Sequence, residues 1–111
     1  NLELLKQLGS LRTAITAHCS SVDVAITATG EQYDCVSRYF APAMGINEDP
    51  VTGSIHTAIA PLWAERLNKT ELIAYQASAR GGELYCKIVD QERIEISGYG
   101  KLYMQAELFL D

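Results

Sequence analysis

NEDPVTGSIHTAIAPLWAERL, residues 47–67, is the stretch from which the fold of this chain is inferred first. Its second part has the apolar spacing of an α-helix over about residues 54–68, with a main stripe formed by Ile55, Ile59, Leu62, Trp63 and Leu67. Alanines occupy much of the remaining circumference, and a helix that is apolar on most sides is normally surrounded by protein. The stretch therefore predicts a buried central helix whose first turn is polar.

Six other segments have the composition of β-strands. They are rich in branched and aromatic residues, and they lie at residues 20–29, 32–40, 71–77, 83–89, 93–97 and 101–110. The last one alternates apolar and polar residues, which is typical of a half-exposed antiparallel strand. Residues 41–53 contain two prolines and two glycines and are predicted to be a loop.

These elements predict one α+β domain that includes all of residues 1–111. A curled mixed or antiparallel sheet, shaped as a half-barrel, would wrap around the central buried helix. A further amphipathic helix, expected over residues 2–15, would pack outside the sheet.

Composition excludes several classes of function. The net charge is −5 and no basic stripe is present, so nucleic acid is not an expected partner. No apolar run is long enough to cross a membrane. The three cysteines, Cys19, Cys35 and Cys86, are too widely spaced for a metal clip or a disulfide framework, which favours small core residues and a cytoplasmic location. Nothing in the sequence requires a metal, flavin, nucleotide or other cofactor.

The polar start of the central helix is the first candidate site. The proline after Asp49 holds this aspartate in an extended conformation, so Glu48 and Asp49 should face opposite sides. Gly53 allows a ligand to approach the backbone, while Thr52 and Ser54 offer hydroxyls near helical amides that lack internal partners. Such a helix end attracts anions. Two interpretations stay open: a capping turn, or a carboxylate-binding loop beside a proton-transferring Asp49.

A second polar turn, QASARGG at residues 76–82, follows a predicted strand. Amides around Gly81 and Gly82 could form a second anion-binding nest, and Arg80 could pair with a carboxylate. The alternative is a hairpin turn with a surface arginine. His18, in an expected loop, and His56 lack a carboxylate partner or metal-ligand spacing, which favours packing or surface roles.

Two motifs carry a resemblance to a known family. EDPVTGS followed by His56, and QxSxRGG after it, lie in a region of about residues 20–110 that resembles the C-terminal half of the PhzF-like (phenazine-biosynthesis) family. The resemblance implies one lobe of a diaminopimelate epimerase-like fold, with the active site between two lobes. It also implies a cofactor-independent isomerase or epimerase in which Asp49 is an acid/base residue. Gly53 and Ser54 would then bind a substrate carboxylate.

Thr52, Arg80 and Gly81 complete the expected substrate-binding set, although the resemblance gives the RGG segment no specific role. The family's N-terminal lobe supplies a glutamate that takes and returns the proton, and no stretch of this chain matches that lobe. Three alternatives follow. The chain forms a homodimer or pairs with a separate N-terminal lobe; it is a non-catalytic remnant that binds a small carboxylate or a partner; or it is part of a longer isomerase.

Overall fold

The structure, a computed structural model, describes residues 14–15, 17–18 and 21–111. In this part of the chain, six strands form one sheet in the order β1-β2-β4-β5-β6, with β3 paired to β2. The strands and the helix α1 are, in chain order, β1 (Val24–Thr29), β2 (Cys35–Ala41), β3 (Ile46–Asp49), α1 (His56–Leu67), β4 (Glu71–Gln76), β5 (Gly82–Ile88) and β6 (Ile94–Ser97). The β2–β4 pair is parallel and the other pairs are antiparallel, so the sheet is mixed as predicted.

The core lies between α1 and one face of the sheet. From α1, residues Ile59, Ala60, Trp63 and Ala64 are buried, and they meet a set of sheet residues formed by Cys35, Leu72, Ala74, Leu84 and Cys86. The Trp63 indole Nε1 donates a hydrogen bond of 2.8 Å to Thr27 Oγ1, which satisfies the one polar atom of this buried ring. Alternation in β4 points Leu72 and Ala74 at the helix. This packing fixes the position of the first turn of α1 at one end of the sheet.

Complete enclosure of the helix is not confirmed. One side of α1 packs on the sheet, whereas Ala58, Pro61 and Leu62 on the other side are exposed, with 38% of Leu62 accessible. The physical reason is that the sheet is open at both ends and does not close around the helix. Of the alanines that suggested burial on all sides, Ala60 and Ala64 are buried against the sheet and Ala58 is exposed.

Two strand predictions were wrong. Residues 46–49, in the predicted loop, form β3, because their backbone pairs with β2 although their sequence is mostly polar. Residues 101–110 alternate as a strand should, yet they form no secondary structure and every one is exposed. A strand needs a hydrogen-bonding partner, and no described strand pairs with this segment. It is called the C-terminal segment below.

The other predicted elements are present with small shifts at their ends. The hairpin between β5 and β6 turns at 90–92, where the Glu92 N–H donates to Asp90 Oδ1 at 2.8 Å. The predicted helix at residues 2–15 lies almost wholly outside the described residues. Ala14, Ile15, Ala17 and His18 are helical, so the loop expected at His18 was wrong. No helix among the described residues is long and apolar enough to cross a membrane.

Candidate functional site

The candidate site is built on the loop that joins β3 to the first turn of α1. Asp49 ends β3 and is partly buried, with its Oδ2 accepting a hydrogen bond from the Thr52 hydroxyl at 2.5 Å. No hydrogen bond to Asp49 Oδ1 is present among the described residues. One carboxylate oxygen is therefore held by the loop and the other is available.

Glu48 and Asp49 face opposite sides of β3, as predicted from the extended chain. The Glu48 carboxylate forms a two-pronged ion pair with Arg38 on β2, with an Nε–Oε1 distance of 2.7 Å and an Nη2–Oε2 distance of 2.9 Å. Both side chains are largely buried, with 8% of Arg38 and 12% of Glu48 accessible. The hydrogen bond to Glu48 raises the pKa of Arg38, so the guanidinium stays charged. This pair anchors β3 directly beside Asp49.

The turn that leads into α1 presents three unpaired amides. The N–H groups of Gly53, Ser54 and Ile55 donate to no described residue, because regular pairing begins only at the His56 N–H, which donates to the Gly53 carbonyl at 3.1 Å. Gly53 and Ser54 are exposed, and a Cβ at position 53 would meet nothing within 4 Å. The Ser54 hydroxyl is also without a partner in the described part of the chain. These groups lie at the positive end of the helix dipole and suit an anion.

Gln76, at the end of β4, holds this loop from the sheet side. Its side chain is fully buried, and its Oε1 accepts from the Thr52 N–H at 2.8 Å. Its Nε2 donates to the Asp49 carbonyl at 2.7 Å and to Thr52 Oγ1 at 3.0 Å. The sequence indicated the motif, but no role for Gln76 was predicted from it. A signal was present, since Gln76 continues the buried alternation of Leu72 and Ala74 and is the polar member of that set.

The rest of the QxSxRGG motif packs on the same loop. The Ser78 hydroxyl donates to the Pro50 carbonyl at 2.9 Å and accepts from the Gly81 N–H at 3.0 Å. Gly81 has a φ of +73°, and a Cβ at Gly82 would lie 2.3 Å from Val51 Cγ2. Because the Gly81 N–H donates to the Ser78 hydroxyl, it is not free to bind a ligand, and the predicted anion-binding nest lacks this amide.

An open cleft of about 680 Å³ borders the helix start. Its lining includes Gly53, the exposed Arg80, and Lys101 at the start of the C-terminal segment. Neither Asp49 nor Ser54 lines it. The structure thus brings Asp49, Thr52, Gly53 and Ser54 together on one loop and places Arg80 across the neighbouring cleft. Their roles in binding a substrate stay predictions.

His56 lies inside the protein and away from solvent. It is fully buried, and its Nδ1 lies 2.7 Å from the Thr52 carbonyl. Because a carbonyl only accepts, Nδ1 carries the proton and Nε2 is a buried acceptor, which has no partner in the described structure. Burial lowers the pKa of His56, so the ring is neutral. This is the packing role that the sequence favoured.

The described residues contain no group of histidine, cysteine and acidic side chains suited to holding a metal ion. The two described cysteines, Cys35 and Cys86, are free and buried. Burial raises the pKa of Cys35 to about 12 and that of Cys86 to about 11, so neither thiol ionises readily. They are core residues, as predicted, while Cys19 lies outside the described residues.

Comparison with known proteins identifies the family. Residues 6–106 match the family model described as "Phenazine biosynthesis-like protein". The chain belongs to the PhzF-like family. It aligns over 89% of its length with 38% of the crystal structure of a PhzF family protein from Enterococcus faecalis, with 46% identity and a TM-score of 0.74. The resemblance inferred from the EDPVTGS and QxSxRGG motifs is confirmed.

Relatives named as isomerases are among the proteins that this chain resembles. One, from Pseudomonas aeruginosa and named an uncharacterized isomerase, is 54% identical over 78% of this chain and 33% of its own length. Another uncharacterized isomerase, from Halalkalibacterium halodurans, is 41% identical over 99% of this chain and 38% of its own length. The chain therefore aligns with 33% to 38% of the length of these PhzF-like relatives.

Proposed function

We propose that this chain is one lobe of a cofactor-independent isomerase or epimerase that moves a proton on a small carboxylate substrate. One observation carries the proposal. The carboxylate of Asp49 is held by the Thr52 hydroxyl on the same short loop that presents the unpaired amides of Gly53, Ser54 and Ile55. An acid/base group thus lies beside a site suited to a negatively charged substrate group, in a family whose relatives include proteins named isomerases.

The helix start would hold the substrate carboxylate. The three unpaired amides and the Ser54 hydroxyl can donate to its oxygens, and the helix dipole favours negative charge there. Gly53 leaves open space in which the carboxylate can approach the backbone. The exposed Arg80 in the neighbouring cleft could bind a second anionic group of the substrate.

Asp49 would then exchange a proton with a carbon next to the bound carboxylate. Removing that proton leaves the C–H electron pair on the substrate, and the resulting charge extends onto the carboxylate. The amides at the helix start would stabilise this charge as it develops. Moving a proton between two carbons, or between two faces of one carbon, also needs a second acid/base group on another side of the substrate.

We infer that a second lobe supplies this group, in the two-lobe arrangement of a diaminopimelate epimerase-like fold. Two features of the chain support the inference. Its relatives are nearly three times as long as the aligned region. The C-terminal segment exposes a row of apolar residues, Leu102, Met104, Leu108, Phe109 and Leu110, each at least 72% accessible. Apolar surface of this kind favours contact with further protein.

The second lobe comes from another copy of the chain, from a separate N-terminal lobe, or from the N-terminal part of a longer isomerase. The homodimer would place two Asp49 residues across a symmetric cleft, because a twofold interface uses one patch twice. Light scattering on the purified chain at micromolar concentration tests the first source. A monomer in that measurement excludes the homodimer and leaves an N-terminal lobe, either separate or within a longer isomerase.

Solvent deuterium exchange tests the proposed reaction. We would incubate the chain in D₂O with a panel of L-α-amino acids and dihydrobenzoic acids and follow loss of the α-proton signal by NMR. The chain would be assayed alone and after co-expression with the part of the Halalkalibacterium relative that it does not match. We expect exchange in one of these conditions and its loss in Asp49→Asn, which keeps the size of the side chain but cannot act as a base.

A second function, binding of small anions without turnover, is favoured by one observation. The cleft that contains Arg80 and Lys101 does not include Asp49, so an anion could bind there without meeting the acid/base group. This alternative predicts saturable carboxylate binding that Asp49→Asn does not change, together with no deuterium exchange in either condition.

A further inference from the structure

The amide of Gln76 determines the direction of a short chain of hydrogen bonds that ends on Asp49. Its Nε2 lies 2.7 Å from the Asp49 carbonyl, which can only accept, so the orientation of the amide is fixed. The same orientation turns Oε1 to the Thr52 N–H at 2.8 Å. The remaining Nε2 hydrogen therefore points to Thr52 Oγ1, at 3.0 Å.

In this arrangement the Thr52 hydroxyl can donate its proton to only one acceptor. Its oxygen already accepts from Gln76, and the nearest acceptor is Asp49 Oδ2, at 2.5 Å. A hydroxyl has a single proton to donate. The direction of the chain is thus Gln76 to Thr52 to Asp49, and it cannot reverse while position 76 is an amide in this orientation. All of these contacts are buried or partly buried, which protects them from exchange with water.

We propose that Gln76 and Thr52 are positioning residues that make the two oxygens of Asp49 unequal. Oδ2 is kept as an acceptor for the Thr52 hydroxyl, and Oδ1 is the oxygen that takes the proton from the substrate carbon and returns it. In that step the C–H bond breaks, an O–H bond forms at Oδ1 and the electron pair stays on the substrate. The inference rests on the proposed function of Asp49, and it assigns Thr52 a role other than substrate binding.

The turn that follows Gln76 provides a matched control. Ser78 also ties the loop to β4, through its hydroxyl and the Pro50 carbonyl, but it makes no contact with Thr52 or with the Asp49 carboxylate. If Gln76, Thr52 and Ser78 only hold the loop in place, loss of the Ser78 hydroxyl should lower activity as much as loss of the Thr52 hydroxyl. If the motif acts through the direction of hydrogen bonds, only changes at Thr52 and Gln76 should affect Asp49.

Four variants separate these possibilities. Thr52→Val removes the hydroxyl at nearly constant shape, and Thr52→Ser keeps it. Gln76→Glu keeps the acceptor for the Thr52 N–H but replaces the donor by a second acceptor, which draws the Thr52 proton away from Asp49. Ser78→Ala removes the tether. Circular dichroism and amide NMR spectra would first establish that each variant is folded.

The first measurement is deuterium exchange under the condition in which the wild-type chain is active. We expect Thr52→Val and Gln76→Glu to lower kcat by about 10- to 100-fold, because the reaction rate falls steeply when an acid/base group is displaced. KM should change less than about twofold. Thr52→Ser should restore kcat to nearly the wild-type value, and Ser78→Ala should leave it unchanged. Equal kcat in wild type and Thr52→Val, or an equal loss in Ser78→Ala, would overturn the proposal.

The second measurement does not depend on turnover and applies to the chain alone. The ¹³C resonance of the Asp49 carboxylate should shift in Thr52→Val and in Gln76→Glu, and stay in place in Ser78→Ala and Thr52→Ser. An unchanged resonance in Thr52→Val contradicts the inference whether or not the chain is an enzyme. If the wild-type chain exchanges no deuterium but the Asp49 resonance shifts in the variants as predicted, only the proposed reaction is contradicted.

Discussion

Gly82→Ala tests whether the β4–β5 turn supports the loop that carries Asp49. A Cβ at position 82 would lie 2.3 Å from Val51 Cγ2, whereas nonbonded carbons rest at about 3.5–4.0 Å. The neighbouring loop must therefore move. Overpacking of this size costs about 1–3 kcal/mol. Alanine also restricts the unfolded chain, which offsets about 0.4–1 kcal/mol. We expect a net loss of about 1–2 kcal/mol in the free energy of unfolding.

A double-mutant cycle identifies the contact responsible. Val51→Ala removes the methyl group that the new Cβ would meet, so the two changes together should cost at least about 1 kcal/mol less than the sum of the single changes. Gly53→Ala is the matched control: because its Cβ meets nothing within 4 Å, stability should change by less than about 0.5 kcal/mol.

Urea unfolding followed by the fluorescence of Trp63, the single tryptophan of the chain, measures all four variants. Additive effects of the Gly82 and Val51 changes, or a Gly82→Ala variant as stable as Gly53→Ala, would show that this contact does not support the loop.

Three further predictions follow from buried and exposed groups. Burial lowers the pKa of His56 below its ordinary 6.5, so the unfolded chain binds more protons and stability falls as the pH decreases below about 6.5. His56→Asn, whose amide can replace the Nδ1 donor, should flatten this dependence between about pH 5 and 7 in urea unfolding, and an unchanged slope would contradict the assignment. Cys35 and Cys86 should resist iodoacetamide in the native state and react in urea, as mass spectrometry of the labelled peptides can test. Deleting residues 101–111, all exposed, should change the unfolding free energy by less than about 0.5 kcal/mol; a larger loss would mean that this segment packs on the lobe.

Much of the fold could be predicted because it depends on local patterns. The stripe that includes Ile59 and Trp63 predicted α1, and a composition rich in branched and aromatic residues predicted β4. The ends of these elements shifted by only a few residues. Six strands were expected and six are described, although β3 replaces residues 101–110 in that set.

The two wrong strands share one physical cause. β3 is short and mostly polar, so its own sequence favours a loop, and pairing with β2 makes it a strand. The C-terminal segment has the alternation of a strand but no described strand beside it. Strand formation depends on a partner that is distant in sequence, and local pattern does not report whether that partner exists.

The site was predictable in its residues and less so in its connections. Proline after Asp49 and glycine before Ser54 indicated an extended acid beside a helix start, and the structure has this arrangement. The three hydrogen bonds of Gln76 join residues that are 24 and 27 positions apart. Spacing within either motif does not reveal such contacts, although a polar residue on the buried face of β4 suggested that one was needed.

The proposed function depends most on carboxylate binding at the start of α1. Amide NMR with a titration of sodium acetate against sodium chloride, at equal ionic strength, measures this directly. We predict saturable acetate-specific shifts centred on the N–H groups of Gly53, Ser54 and Ile55, and their weakening in Gly53→Ala, whose methyl group would occupy the open space. Shifts that do not saturate, or that are spread over Arg80 and other surface cations without reaching these three amides, would contradict it.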